Sequence, residues 1–487
     1  MKKKIIFGSV AVGTALVIGY VIVNQYLESR DCECLAYKEY ANVPVNFDLD
    51  KVVGSLDPRD KTHFVGQAQA FADTLSWKTF VAINWPADWS GRPDSTKCFG
   101  DGSAKTVWQH WFEVSTILPH GNPRIILKKL PNQKPLVNDD GKVPEENRID
   151  FFLNSFKNRE LGSFKSIRGD KASKVPPVVD QNGNKTYFQS YYNDIMSSYI
   201  EKTNIKSLDG LREFVKTFPY ADENFMLRVA GKASRINRIH FPVFSTSKGG
   251  SFYVDEDSVP DSTVTMQPSK GSIMIKMAWK VISGKDDPSR FYTRKAKILE
   301  GKKWRSVKVG LVAMHIAVRY SKLPQWLWAT FEHTDNVPEI INGNVNALPG
   351  KRYSYYHSKY GNNVNKQLDV SGKSPLARQH KISDKARQLN DWMHEQMVAI
   401  DPKSVWQYYD LVGSQWPFLP KLFPNDQSYI GIPEPHYLSN AVIENFGQNS
   451  SCLSCHSKAG VKTSVTKGKP DSVRTNFAWA FKRLNER

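Results

Sequence analysis

Six residues near the C-terminus, Ser451-Cys452-Leu453-Ser454-Cys455-His456, constrain this chain more than any other stretch. They read C-x-x-C-H, the attachment sequence of c-type haem. Two thiols about one helical turn apart can each add to a vinyl group on the porphyrin edge. The next residue, His456, then lies under the iron and offers a neutral imidazole as axial ligand. With 5 Cys and 11 His in 487 residues, chance places this pattern in roughly one chain in a thousand. A zinc site would need two further Cys or His ligands at suitable spacing, and no second such pair exists. A redox dithiol would need the pair after a strand, at a helix start, in a βαβ unit. The residues before Cys452 read as helical, and no such unit follows.

The motif's position sets a further constraint. Small cytochromes c supply a methionine to the iron some tens of residues after the motif. The 31 residues that follow His456 contain neither Met nor His. The second axial ligand must therefore come from far upstream, or the iron stays open. Two upstream histidines qualify as sixth-ligand or distal-pocket residues. His315 lies in the apolar run Leu311–Val318, and His333 follows the aromatic run Trp326–Glu332. Each can equally be a buried histidine satisfied by local hydrogen bonds. Met314, Met393 and Met397 read as core, and His436 as a surface turn residue. No Ser-His-Asp order, phosphate-binding glycine loop or H-E-x-x-H motif is present, so no catalytic residue is assigned.

The N-terminus points to the compartment. Met1-Lys2-Lys3-Lys4 precedes an uncharged, mostly apolar run from Ile5 to Tyr26. That run is long enough for a hydrocarbon core of about 30 Å, and the lysines before it orient the bulk of the chain outward. It reads as an uncleaved transmembrane anchor, with a cleaved signal sequence as the alternative. The expected location is the inner membrane, with the bulk in the periplasm. This agrees with the motif, because bacteria attach c-type haem outside the cytoplasmic membrane. The other cysteines are Cys32, Cys34 and Cys98, and an oxidising compartment allows Cys98 to pair with Cys32 or Cys34.

At 487 residues, 40% hydrophobic and 24% charged, the chain has ordinary globular composition. The net charge of +19 suits an acidic redox partner or anionic lipid, and an exported chain excludes nucleic acid. Helical spacing marks Phe64–Trp85, with Phe64, Ala68, Phe71 and Leu75 on one face. Further helices are expected at 104–117, 147–156, 186–204, 207–217, 383–400, 405–412, 438–446 and 473–484. Strands are expected at 272–282 and 307–320. The predicted fold class is α+β: mostly helical around a central antiparallel sheet, with an N-terminal transmembrane helix and a C-terminal helical haem-attachment segment. The predicted organisation is an anchor (1–30), a tether (31–62), a large mixed α/β body (63–430) and the attachment segment (431–487).

Beyond the motif, several stretches carry a family likeness. They are Trp77–Pro86, Val309–Ile316, Pro324–His333 with Asn336, and Ser451–His456. In these the chain resembles a group of proteobacterial proteins called cytochrome c family proteins, exported monohaem proteins with the motif near the C-terminus. The resemblance runs over most of the chain after the apolar run. It implies one covalent haem c and electron transfer, and it supplies no substrate. It places His315 and His333 inside matched segments. The expected function is thus a membrane-anchored periplasmic monohaem c-type cytochrome, an electron carrier more than an enzyme. The alternative is a haem enzyme or small-ligand sensor with an open sixth coordination site.

Overall fold

The computed structural model describes residues 35–44, 61–118, 152–153, 177–217, 239, 241–242, 271–300, 303–320, 323–366, 372–418, 432–445, 447–466, 469–475 and 477–485. Its centre is a nine-stranded sheet. Strands β1 (Phe112–Glu113), β3 (Tyr187–Tyr192), β4 (Ile273–Val281), β6 (Lys303–Tyr320), β7 (Leu323–His333), β10 (Tyr409–Phe418) and β11 (Ile432–Glu434) lie side by side in that order. Off this row, β5 (Thr293–Glu300) pairs with β6, and β2 (Phe152–Leu153) with β5. The β2–β5 pair is parallel and every other pair antiparallel. Two small hairpins stand apart: β8 (Glu339–Ile341) with β9 (Asn344–Asn346), and β12 (Gly460–Thr466) with β13 (Lys469–Arg474).

The helices are α1 (Lys61–Asn84), α2 (Asp194–Lys202), α3 (Leu208–Thr217), α4 (Asp384–Ile400) and the single turn α5 (Cys452–His456), with lone turns at Tyr37–Tyr40 and Val114–Ile117. The expected helix at Phe64–Trp85 is α1. It stops where Trp85 precedes Pro86, because a residue before proline resists the α region. Ser383 caps α4, its hydroxyl accepting from Ala386 N at 3.2 Å.

The large sheet overturns the expectation of a mostly helical chain. Residues 405–412 form a 3-10 turn and then enter β10. Residues 187–192 form β3, and helix begins only at Asp194. The 104–117 segment is a 3-10 turn, a short strand and one helical turn. Of 147–156, the described pair Phe152–Leu153 is strand. Residues 438–445 are turns held by side chains. Residues 473–484 leave β13 and end in a 3-10 helix at Trp479–Asn485. The common physical cause is burial on both faces. β10 is buried at nine of its ten positions, so it shows no polar–apolar alternation. A run such as Val405, Tyr409, Val412 then satisfies helical spacing equally well.

The expected anchor falls on residues outside those described. Among the described residues no helix is long and apolar enough to cross a membrane. The described part of the expected tether is packed: Leu35, Tyr40 and Ala41 are buried with α1, and Lys78 bonds Glu39 at 2.7 Å. Cys98 is disulfide-bonded, whereas Cys452 and Cys455 are free.

The sheet has two different faces. On one, α1 and α4 bury Phe64, Leu75, Trp77, Phe80, Met393 and Met397 against Met314, Ile316, Phe331, Leu411 and Trp416. On the other, Met274, Ala317, Trp326 and Trp328 meet Leu453, Val461, Val473, Phe477 and Phe481 from the C-terminal segment. The C-x-x-C-H turn thus lies directly on the sheet.

Candidate haem-attachment site

A five-residue helix cannot sustain itself in water, so α5 depends on what surrounds it. Ser451 is its N-cap, the hydroxyl accepting from Ser454 N at 3.1 Å. That hydroxyl also donates to Gln415 Oε1 at 3.0 Å, and Leu453 N donates to the same oxygen at 2.9 Å. The Gln415 amide nitrogen donates to Pro435 O at 2.7 Å. The Leu453 side chain is fully buried. At the other end of the turn, the His456 ring lies 4.3 Å from the Trp328 ring. Trp328 and Gln415 are cross-strand partners in β7 and β10.

His456 Nδ1 and Phe477 O are 2.6 Å apart. The carbonyl can only accept, so Nδ1 carries the proton and Nε2 keeps its lone pair. Burial lowers the His456 pKa to about 4; the Phe477 bond opposes this, and Lys276 and His315 lower it further. The imidazole is therefore neutral at pH 7 and able to ligate a metal. Burial, then the Glu444 charge, push both thiols above their ordinary range, while the Trp479 N–H draws Cys455 back. Zinc-binding and redox-active cysteines need the opposite shift, toward thiolate. Among the described residues no group of three or more His, Cys, Asp or Glu side chains gathers as a metal cage. Two protonated, unpaired, half-buried thiols and one neutral imidazole with Nε2 available fit a covalently attached haem.

The two upstream histidines have different surroundings. His315 lies in β6 between Lys276 of β4 and Thr330 of β7. Trp328, two residues from Thr330 on the same face, is its diagonal neighbour, about 7 Å away at the Cα level. Because Trp328 holds the His456 ring, His315 faces the attachment site, and its charge bears on His456. Its buried Nε2 makes no hydrogen bond of acceptable geometry, although Glu444 Oε2 stands 3.3 Å away.

His333 ends β7, five residues beyond Trp328 and so about 16 Å further along the strand. It is fully buried, stacked 4.0 Å from Phe291 and edge-on to Tyr409 at 5.1 Å. Its Nδ1 accepts from Asp335 N at 3.1 Å, and its Nε2 donates to Arg290 O at 2.8 Å. Both nitrogens are used within the fold. The structure thus brings His315 near His456 and leaves His333 apart. Met314, Met393 and Met397 are buried in the α1 core, and His436 is exposed.

Comparison of the chain with family models, with curated proteins and with solved structures gave no match.

Several residues that build the site carry no sequence motif. Asn440 donates to Thr330 Oγ1 at 2.9 Å and to Phe331 O at 3.1 Å, and its own side-chain oxygen accepts from Val442 N and Ile443 N. Ala441 N donates to the buried Glu332 carboxylate, which Arg378 pairs at 2.8 Å. These bonds clamp the 438–445 segment over the sheet and bring Glu444 to His315. The one signal in the sequence is Gln415 itself, a polar residue between the apolar pairs Leu411-Val412 and Trp416-Pro417. A polar side chain in such a position needs partners.

Proposed function

We propose that this chain carries one haem c and works in one-electron transfer outside the cytoplasm. Cys452 and Cys455 form the thioether bonds, and His456 Nε2 is an axial ligand. The observation that carries the reading is the His456 Nδ1–H bond to Phe477 O at the end of a C-x-x-C-H turn with both thiols unpaired. Such a bond to the second ring nitrogen fixes the tautomer and the orientation of a metal-bound imidazole. The disulfide at Cys98 supports an oxidising compartment. The haem, when bound, supplies reversible one-electron chemistry. The chain's own residues orient it against the sheet and shield one side from water. The net charge of +19 suits an acidic redox partner.

Of the two upstream histidines, His315 is the one that would line the haem site. One observation favours a second reading. His315 Nε2, the nitrogen at the tip of the ring, stands beside the Glu444 carboxylate. A histidine held by a carboxylate above an open iron describes a small-ligand sensor or haem enzyme.

Visible spectra of the purified holoprotein separate the two. A low-spin ferrous spectrum unmoved by carbon monoxide is the expected result, and His315→Ala should abolish it. A high-spin iron that takes up carbon monoxide readily would replace the electron-transfer reading with the second one. Absence of covalent haem from protein expressed with a c-type maturation system would sink both.

A further inference from the structure

We propose that Gln415 is the positioning residue of the attachment turn, so that the sheet, and not an enclosing helical domain, sets the orientation of His456. The inference rests on the haem reading above and extends it to a residue that touches neither the haem nor the iron.

The orientation of the Gln415 amide is fixed by its partners. Leu453 N–H can only donate and Pro435 O can only accept, so Oε1 faces α5 and Nε2 faces Pro435. The side chain is fully buried, which makes its bonds costly to lose. A helix of this length leaves its first N–H groups without intrahelical partners. Here Ser451 satisfies Ser454 N, and Gln415 satisfies Leu453 N while also holding the Ser451 hydroxyl. The cap is therefore itself held from the sheet.

The register extends this control to the ligand. Gln415 pairs directly with Trp328, and the Trp328 ring lies 4.3 Å from the His456 ring. A five-residue turn spans about 7 Å, close to the separation of neighbouring strands plus a side chain. One cross-strand pair thus fixes both ends of the turn, its start through Gln415 and its metal ligand through Trp328. Gln415 takes no part in the chemistry; it acts through Ser451 and Leu453.

Gln415→Met keeps the length and bulk of the side chain and removes its hydrogen bonds. Amide hydrogen exchange of the full-length holoprotein is the first readout. Exchange in residues 451–457 should speed up by roughly tenfold, the loss of one or two net hydrogen bonds, while exchange in Lys61–Asn84 stays unchanged. The ferric electron paramagnetic resonance spectrum is the second. The single low-spin species expected of the parent should split or gain a high-spin fraction. If Q415M does not accumulate, Ser451→Ala tests one of the same bonds from the other side, with the same local acceleration expected. Unchanged exchange and an unchanged spectrum would overturn the proposal. So would equal acceleration in Lys61–Asn84, which marks a general loss of stability. If the parent protein carries no haem, the haem reading fails on that measurement alone. The exchange arm still decides whether Gln415 docks the turn.

Discussion

The two faces of the sheet are closed in different ways. The α1 face is closed by long elements and large rings. Trp77 meets Phe331 edge-on at 5.0 Å, and Phe80 stacks on Phe331 at 4.2 Å. A buried polar group is shared within it: Trp77 Nε1 donates to Asn390 Oδ1, and that oxygen also accepts from Leu411 N. The opposite face is covered by short pieces: a single helical turn, a hairpin and a clamped loop. Along β6 it presents Ala313, His315 and Ala317, where the α1 face presents Met314, Ile316 and Val318. It also keeps His315 Nε2, which stands beside Glu444 without a hydrogen bond of acceptable geometry. One face is complete as protein, whereas the other has small and polar residues that suit an added planar group.

The sharpest way to break this contrast is to damage each face in turn. Replacing Cys452 and Cys455 together with Ser should remove covalent haem completely, read as loss of the Soret band. Far-UV circular dichroism should stay close to that of the parent, because the α1 face does not depend on the thiols. Trp77→Ala should do the reverse. It removes a buried indole at a cost of about 3–5 kcal/mol, which denaturant titration would read as global destabilisation. If the double serine variant unfolds as Trp77→Ala does, the two faces are not independent.

A second test uses pH. Burial holds the His333 pKa at about 4, below its ordinary 6.5. Between those values the unfolded chain binds a proton that the folded chain does not, so stability falls as pH falls. The loss is at most about 3 kcal/mol. Asp73, buried in α1, has the opposite sign. Its pKa is raised to about 6, so its contribution weakens as pH rises from about 4 to 6. Relative to the parent, denaturant midpoints across this range should fall more steeply toward acid in Asp73→Asn and less steeply in His333→Gln. A His333→Gln variant with an unchanged slope would mean that His333 titrates normally and is not enclosed as described.

These residues also mark how far the sequence could be read. α1, β4, β6 and the Ser383 cap each carry a local signal: helical spacing, a β-branched run, or a capping residue before an apolar stripe. The C-x-x-C-H motif is likewise local. β3 and the start of β10 read as helical because burial on both faces erases the period of two. The 438–446 segment has helical spacing, yet its Asn440 and Ala441 bond to Thr330, Phe331 and Glu332 of β7. Those partners lie more than a hundred residues away and leave no trace in the local pattern. His315 and His333 were equivalent as sequence, each a histidine beside an apolar run. Only strand register separates them, because it places one next to Trp328 and encloses the other.

Asn440→Ala sharpens the contrast at smaller scale. It leaves the Thr330 hydroxyl and the Phe331 carbonyl, both buried, without this partner, at about 1–3 kcal/mol. The effect should stay local: faster amide exchange in 438–445 and a perturbed haem spectrum, with α1 unaffected. Exchange rising equally in both regions would show the loop to be part of the common core.

The smallest effect belongs to the α1 face. Ser383→Ala removes the hydroxyl that accepts from Ala386 N at the start of α4. The expected cost is about 1 kcal/mol. α4 packs Met393 and Met397 into the α1 core, so the loss should appear as a lower thermal midpoint of the whole protein. The haem spectrum should change little, because α4 makes no hydrogen bond to the attachment turn or Gln415 among the described residues and meets Cys452 through the small apolar cluster of Ala386 and Leu438. A marked spectral change in Ser383→Ala would therefore show that the start of α4 and the attachment turn are coupled through that cluster.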